Sequence, residues 1–303
     1  MHRLRQQVVI ATFAILLLAG GINQRIDAQQ AEQGNVVIPF TLTDHNNIVV
    51  SAMLNDTDAL NLMLHTASSD LRLTEEAVRK AKSIKFTATD KVKSWGGEAD
   101  SRSSKGNRLQ IGALRRNDID IWEDKNSGHD TDGKFGLDFF QNRIVEIDFE
   151  QRRIAVYETL PRKAKTYQRL KLENKNGLLL AEGSCLIEGK TYTNKFLLHS
   201  GYSGGVLLDD AFAASTGVDG KIRISEESSL KDSFGNTIKV KKGLLPVFML
   251  GDSQIFNVPT GFFAGGLGTQ KMSILGSEVL KQFNLIFDIA SQNLYIKPIQ
   301  RTP

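Results

Sequence analysis

The chain contains one short pattern twice. The first copy, residues 62–69, reads LMLHTASS, and the second, residues 196–203, reads FLLHSGYS. Each copy is an apolar segment that runs into a histidine, a hydroxyl residue and small residues. Further landmarks follow both copies in the same order, which indicates an internal duplication. The duplication restricts the chain to folds that are built from two equivalent halves.

A helix start and a turn follow each copy. Thr74 and Asp209 are predicted to cap these helices, because their side-chain oxygens can accept backbone N–H groups. An aromatic residue and glycine then mark a turn, at residues 95–97 in the first half and at residues 234–235 in the second. Repetition of both signals in register favours two lobes with one common design.

A glycine and an aspartate mark the end of each half. Gly136 precedes Asp148 by 12 residues, and Gly276 precedes Asp288 by 12 residues, with a predicted hairpin after each Asp. These landmarks predict an N-terminal lobe over residues 35–158 and a C-terminal lobe over residues 168–299. The polar, basic, proline-containing stretch 159–167 is the predicted linker.

Composition and patterning predict an all-β protein. Apolar residues make up 41% of the chain and charged residues 24%, as in folded globular proteins. Alternation of apolar and polar residues is clear at 117–121 and 143–147, and short apolar segments recur between Gly, Asn, Asp and Ser. Helical segments are few and short.

The N-terminus has the pattern of a secretory signal. Arginines precede an apolar run from Val8 to Ala19, which is short for a membrane span. We expect residues 1–28 to be removed, with a retained N-terminal anchor as the alternative. Cys185 is the only cysteine, so no internal disulfide can form. An exported protein of this kind, periplasmic or secreted, fits a bacterium best, and no membrane contact is expected after cleavage.

Charge gives little support for nucleic-acid binding. Removal of residues 1–28 takes away three arginines and one aspartate, which lowers the formal net charge from +4 to +2. A basic cluster lies around residues 162–171, but no groove-reading motif accompanies it. A solvated linker explains the cluster better than a nucleic-acid surface does.

An apolar strand that runs into Asp-Thr/Ser-Gly is the active-site signature of aspartic peptidases, and the repeated pattern resembles it. The whole set of landmarks is similar to the bacterial two-lobed form of that family. The resemblance implies a bilobal, pepsin-like fold of two retropepsin-like β-barrel lobes with a cleft between them. It also implies that peptides or unfolded polypeptides are the partners, and no cofactor is expected.

The resemblance assigns positions around the cleft. His65 and His199 stand where the family has its two catalytic aspartates, and they are expected to face each other at the lobe interface. Thr66 and Ser200 correspond to the hydroxyl residues that brace the two loops. Ala67 and Gly201 stand at the position of the family glycine. The two flap turns correspond to Trp95-Gly96 and Phe234-Gly235. Ala67 departs from the family pattern, because a methyl group replaces the glycine that permits close backbone approach.

Replacement of both acids changes the chemistry that the cleft can perform. Aspartic peptidases depend on two close carboxylates that share one proton, so that one acts as base and the other as acid. Two neutral imidazoles carry no negative charge, and two imidazolium ions repel each other. Three hypotheses follow: a noncatalytic cleft that binds peptides, a hydrolase with a His65/His199 acid–base pair, and a metal site with these two histidines as ligands.

Overall fold

The computed structural model describes residues 36–94, 97–231, 237–263 and 270–300. Its strands confirm the all-β prediction, and the alternating segments of the sequence lie in them. The strands of the first half are β1 (Val36–Pro39), β2 (Thr41–Leu42), β3 (Ile48–Leu54), β4 (Asp58–Leu64), β5 (Leu71–Thr74), β6 (Ala88–Ser94), β7 (Gly97–Ile111), β8 (Leu114–Asp124), β9 (Gly133–Phe135), β10 (Ile144–Asp148) and β11 (Arg153–Tyr157).

The second half repeats this order, with one strand, β12, where the first half has β1 and β2. Its strands are β12 (Gln168–Lys175), β13 (Leu178–Ile187), β14 (Lys190–His199), β15 (Val206–Leu207), β16 (Ile224–Lys231), β17 (Thr237–Leu250), β18 (Ser253–Phe263), β19 (Ser273–Gly276), β20 (Phe283–Asp288) and β21 (Asn293–Pro298).

Helices are short, and two of them begin as the sequence predicts. Within the described residues they are α1 (Glu75–Lys80), α2 (Asp210–Thr216) and α3 (Ser277–Leu280). Thr74 accepts the backbone N–H of Ala77 at the start of α1, and Asp209 accepts that of Phe212 at the start of α2. Both capping predictions are therefore confirmed, and each cap satisfies a donor that the first helical turn leaves free.

The strands form two sheets. One has eight strands in the order β2-β3-β4-β9-β5-β8-β7-β6 and belongs to the first half. The other has thirteen, in the order β1-β11-β10-β20-β21-β12-β13-β14-β19-β15-β18-β17-β16. Six neighbouring strands of this sheet, β1-β11-β10-β20-β21-β12, come from both halves and join the lobes. One continuous apolar core runs through both halves, because strands of each contribute buried Ile, Leu, Val and Phe side chains to it.

The join between the halves is symmetric. Strand β10 pairs antiparallel with β20, and Glu146 lies opposite Ile286. These two residues are 140 positions apart, the same separation as Gly136 and Gly276, so each occupies the equivalent place in its own half. The duplicated hairpins therefore meet each other across a pseudo-twofold axis.

The predicted linker is fastened to this join. Residues 162–166 form one short 3₁₀ helix. The carboxylate of Glu146, which is fully buried, accepts the hydroxyl protons of Tyr157 (2.7 Å) and Tyr167 (3.1 Å) and pairs with Lys163 at 2.6 Å. Part of the basic cluster thus neutralises a buried acid, since an unpaired carboxylate there is costly.

The expected signal segment, residues 1–28, lies outside the described residues. In the described part of the chain, no helix has both the length and the apolar character needed to cross a bilayer.

Candidate functional site

The two repeated patterns occupy equivalent places in the two halves. Strand β4 ends at Leu64, immediately before His65, and pairs in parallel with β9. Strand β14 ends at His199 and pairs in parallel with β19. Both central strands are apolar and buried at their last residues, so the two histidines leave the core at the same point of each lobe.

The structure brings His65 and His199 together, although 134 residues separate them in sequence. Their ring centroids lie 4.4 Å apart, with the ring planes tilted by 58°. Both side chains are half-buried. We refer to His65 and His199 together as the histidine dyad.

Reciprocal hydrogen bonds clamp the two loops. The hydroxyl of Ser200 accepts the backbone N–H of Thr66, and the hydroxyl of Thr66 accepts the backbone N–H of Ser200, both at 3.0 Å. Each hydroxyl also donates across the interface at 2.6 Å, Thr66 to the carbonyl of Leu198 and Ser200 to that of Leu64. All four bonds are buried, so the positions of the dyad loops depend on each other.

The two residues after the hydroxyls differ. A Cβ atom on Gly201 would lie 2.5 Å from Nε2 of His65 and closer still to its Cδ2, so this position accepts no larger residue unless the ring moves. Ala67, in the equivalent place, is half-buried and carries a methyl group. The dyad is consequently asymmetric, with the ring of His65 seated on the backbone of the second loop.

Glycines lie behind each loop. A Cβ on Gly136 would overlap the carbonyl oxygen of Ser68, and a Cβ on Gly276 would overlap that of Gly204. Ser277, which follows, donates its hydroxyl to the carbonyl of Ser200 at 2.6 Å. Ser277 is not among the site residues predicted from the sequence; its signal is its place directly after the landmark glycine Gly276.

Burial keeps the dyad neutral. Desolvation, with a smaller contribution from the charge of Lys134, lowers the pKa of His199 to about 4. Desolvation lowers the pKa of His65 well below its ordinary value, and the charges of His199, Lys134 and Arg72 act in the same direction. Nδ1 of each ring is buried and has no hydrogen-bond partner. Near neutral pH both imidazoles are uncharged, and neither stores a proton for transfer.

A buried ionic network acts on the dyad from the first lobe. Lys134, only 7% exposed, pairs with Asp124 at 2.8 Å, and Arg72 pairs with Asp124 at 3.0 Å and with Asp70 at 3.3 Å. Desolvation lowers the pKa of Lys134, which Asp124 partly offsets. Lys134 is not among the site residues predicted from the sequence. A signal was present, because the equivalent residue of the second half is Ile274, and a lysine in an apolar buried strand needs a partner.

The flap residues of the sequence analysis, Trp95-Gly96 and Phe234-Gly235, lie outside the described residues. Their flanking strands are described. Strand β6 pairs with β7 up to residues 94 and 97, and β16 pairs with β17 up to residues 231 and 237. Each pair of strands therefore forms a two-stranded arm whose described ends flank an expected flap in sequence.

A cavity of about 250 Å³ lies beside the first dyad loop. It has both apolar and acidic walls, formed among others by Asp70, Leu71, Trp122, Phe135 and Asp138. Burial and, to a smaller extent, the charge of Asp70 raise the pKa of Asp138 to about 6.

Other histidines do not join the dyad. His45 and His129 stack on each other, with centroids 3.6 Å apart and planes 22° from parallel. Among the residues that the structure describes, no group of three or more His, Cys, Asp or Glu is arranged to hold a metal ion.

Comparison with known proteins supports the architecture. The crystal structure of an aspartic proteinase from Irpex lacteus superposes on the chain with a TM-score of 0.58, covering 88% of this chain and 97% of that one at 12% identity. The chain has a pepsin-like fold. The bilobal, pepsin-like prediction is thereby confirmed at the level of fold, which is all that so low an identity shows. No family model matches the sequence of this pepsin-like chain, and no curated protein does.

Proposed function

We propose that the chain is a noncatalytic relative of the aspartic peptidases that binds peptides or unfolded polypeptides between its lobes. One observation carries the proposal. The hydroxyl clamp that positions two side chains at the lobe interface is present, yet both side chains are neutral imidazoles. A preserved frame without its acids favours retained binding over retained hydrolysis.

Loss of catalysis follows from charge. Peptide hydrolysis by a carboxylate pair needs one negative charge to polarise water and one proton to donate. With pKa values of about 4 for His199 and well below the ordinary value for His65, the dyad supplies neither at neutral pH. Removal of a cooperative catalytic unit normally abolishes most of its rate.

Peptide binding draws support from the ends of the sheets. Strands β6 and β16 stand last in their sheets, and each belongs to an arm that leads to an expected flap. An extended peptide gains backbone hydrogen bonds when it adds to such a strand. The cavity beside the first dyad loop offers space for one of its side chains.

Binding is tested with fluorescently labelled, reduced and alkylated casein in a polarisation titration at neutral pH. We expect saturable binding that persists when His65 or His199 is changed to Gln, because the proposed peptide contacts are the edge strands β6 and β16 and the cavity rather than the two rings. Folded proteins of similar size serve as competitors and should not displace the label. Absence of saturable binding to casein and to a library of extended peptides would refute the binding role.

A hydrolase that uses the His65/His199 pair is the competing function. One neutral and one protonated imidazole could act as base and acid, and the lowered pKa values restrict that state to acid solution. Incubation of the same casein with the protein at acid and at neutral pH, followed by detection of casein fragments, distinguishes the hydrolase from the noncatalytic binding protein. Cleavage that disappears in His65→Ala supports the hydrolase.

Export is also part of the proposal, and it rests on the N-terminal pattern of residues 1–28. Expression of the full chain in a bacterium, followed by fractionation and N-terminal sequencing, tests it. We expect a periplasmic or secreted product that begins near residue 29.

A further inference from the structure

One side of the six strands that join the lobes is covered by a short segment of the chain. Because directly paired residues on neighbouring strands share a face, the register places one row of side chains on this side: Val37, Ala155, Glu146, Ile286, Tyr295 and Arg169. The four inner members of the row are buried, and Ala164 of the 3₁₀ helix and Tyr167 pack over its apolar members. We call this side of the sheet, with residues 160–171, the outer face.

Exposed cations surround the covered layer. Lys171 and Lys297 lie two residues along their strands from Arg169 and Tyr295, so they point to the outer face as well. Within the part of the chain that the structure describes, five exposed basic side chains of this face form no ion pair with a carboxylate. They are Arg162 and Lys165 on the 3₁₀ helix, Arg169 and Lys171 on β12, and Lys297 on β21.

Three carboxylates of the same face are buried and already engaged. Glu146 is neutralised in the join described above. Asp148 pairs with Arg153 at 3.5 Å, and Asp288 accepts the backbone N–H of Ser291 at 3.1 Å. These acids therefore present no accessible negative charge to a partner, whereas the five cations are open to solvent.

The charge of the protein is concentrated on this face. Residues 162–171 contain five basic residues and no acidic one, and residues 29–303 have a formal net charge of +2, so the rest of that chain carries 2 − 5 = −3. An anionic surface would attract the outer face and repel the remainder of the molecule. The distribution of charge thus favours one orientation on such a surface.

Apolar side chains lie beside the cations. Val37, at the end of the row, is 42% exposed, and Leu160, directly before the 3₁₀ helix, is 40% exposed. Cations with exposed apolar neighbours suit the headgroup region of an anionic bilayer. Nucleic acid is less well matched, because Tyr167, the aromatic residue of the basic segment, is half-buried with its hydroxyl on Glu146 and offers no open ring for base stacking.

We propose that the outer face binds the phosphate groups of anionic phospholipids and holds the protein against a bilayer surface. The N-terminal pattern is consistent with this location, because the chain enters the described fold in β1, beside Val37, after the apolar run Val8–Ala19. The proposal replaces the expectation of no membrane contact after cleavage. It does not depend on peptide binding.

The test uses protein expressed from the full chain and vesicles of equal parts phosphatidylcholine and phosphatidylglycerol. Co-sedimentation at low ionic strength should show saturable binding to these vesicles and not to vesicles of phosphatidylcholine alone. Salt at about 1 M, where the screening length is about 3 Å, should release the protein. The variant Lys165→Gln/Arg169→Gln/Lys171→Gln should bind about 100-fold more weakly, since each Lys or Arg near an anionic surface contributes about five-fold.

The first lobe supplies a matched control. Arg79→Gln/Lys82→Gln/Lys85→Gln removes the same total charge from exposed side chains that form no ion pair among the described residues. It should bind the anionic vesicles as tightly as the wild type does. Both triple variants should keep the wild-type melting temperature and casein binding, so a failure at the outer face is distinguishable from a failure of the peptide-binding proposal.

A second readout needs no variant. Acetylation of amines in the wild-type protein, followed by mass spectrometry, should show that anionic vesicles protect Lys165, Lys171 and Lys297 but not Lys82 and Lys85.

Four results would overturn the proposal. They are no saturable binding to the anionic vesicles at low ionic strength, equal binding to vesicles of phosphatidylcholine alone, equal weakening in the two triple variants, and tighter binding to duplex DNA or polyglutamate than to the vesicles. The second would assign the contact to apolar residues, and the last would assign the face to a different class of partner.

Discussion

The hydroxyls of Thr66 and Ser200 each accept the other residue's backbone N–H at 3.0 Å, and these bonds join the two halves of the chain across 134 residues. Each half supplies the hydroxyl oxygen that accepts a backbone N–H of the other half, so neither loop satisfies its own hydrogen bonds alone. The histidine dyad stands directly before these two residues and takes its position from them.

Removing one hydroxyl should destabilise the join. We expect Thr66→Val to lower the free energy of unfolding by about 1–3 kcal/mol, because the N–H of Ser200 is left buried without an acceptor. Urea unfolding measures the change. In the double variant Thr66→Val/Ser200→Ala, the effects should be smaller than additive. Ser184 and Thr193 share an exposed hydrogen bond between their hydroxyls at 2.8 Å. Thr193→Val, the matched control, should therefore change the free energy of unfolding little. Equal losses for Thr66→Val and Thr193→Val would contradict the clamp.

Gly201 should not tolerate a side chain. We expect Gly201→Ala to cost about 1–3 kcal/mol, because its Cβ overlaps the ring of His65. Gly220→Ala is the control, since a Cβ there meets no atom within 4 Å. Combining Gly201→Ala with His65→Ala should recover part of the loss, because the obstructing ring is gone. If the loss of stability in the double variant equals the sum of the losses in the two single variants, the overlap is not the cause.

Stability should depend on pH through the dyad. Unfolded histidine binds a proton below about pH 6.5, whereas folded His199 does so only near pH 4. Between these values the unfolded state holds more protons, so the contribution is fully present above pH 6.5 and is lost as the pH falls toward 4. The charge of Lys134 opposes protonation of both rings, and that of Arg72 opposes protonation of His65.

The expected loss is at most about 3 kcal/mol for His199. Urea unfolding of the wild-type protein and of His199→Gln across this pH range isolates the contribution of His199. The acidic residues that both proteins share affect the two stability curves equally. The wild-type curve should fall more steeply with acid than that of the variant. Parallel curves would mean that His199 is protonated as easily in the folded protein as in the unfolded chain.

Lys134 should be essential to the first lobe. We expect Lys134→Ile, which copies Ile274 of the second half, to cost about 3–5 kcal/mol, because it removes a partner of buried Asp124. Adding Asp124→Asn should reduce the loss. Thermal unfolding of both variants measures it. Lys80→Ile, at an exposed ion pair with Glu76, should change stability by less than about 1 kcal/mol, and a comparable loss there would undermine the argument from burial.

Local patterns predicted the duplicated elements because each depends on neighbours in sequence. The caps at Thr74 and Asp209 and the strands before the histidines are of this kind. The pairing of Glu146 with Ile286 and the attachment of Lys163 to Glu146 depend on how distant strands meet. The network around Lys134 could not be predicted for the same reason, since Asp124, which pairs with both Lys134 and Arg72, lies on another strand from either of them. The neutral state of the dyad follows from burial, which no single residue reveals.

The noncatalytic assignment is tested most directly by a peptidase assay of the wild-type protein beside the triple variant His65→Asp/Ala67→Gly/His199→Asp, with unfolded casein as substrate at acid and neutral pH. We predict no cleavage by the wild type at any of these pH values and acid-range cleavage by the triple variant, because the retained frame then holds two carboxylates that share one proton. Cleavage of casein by the wild type that is abolished in His65→Ala would contradict this account.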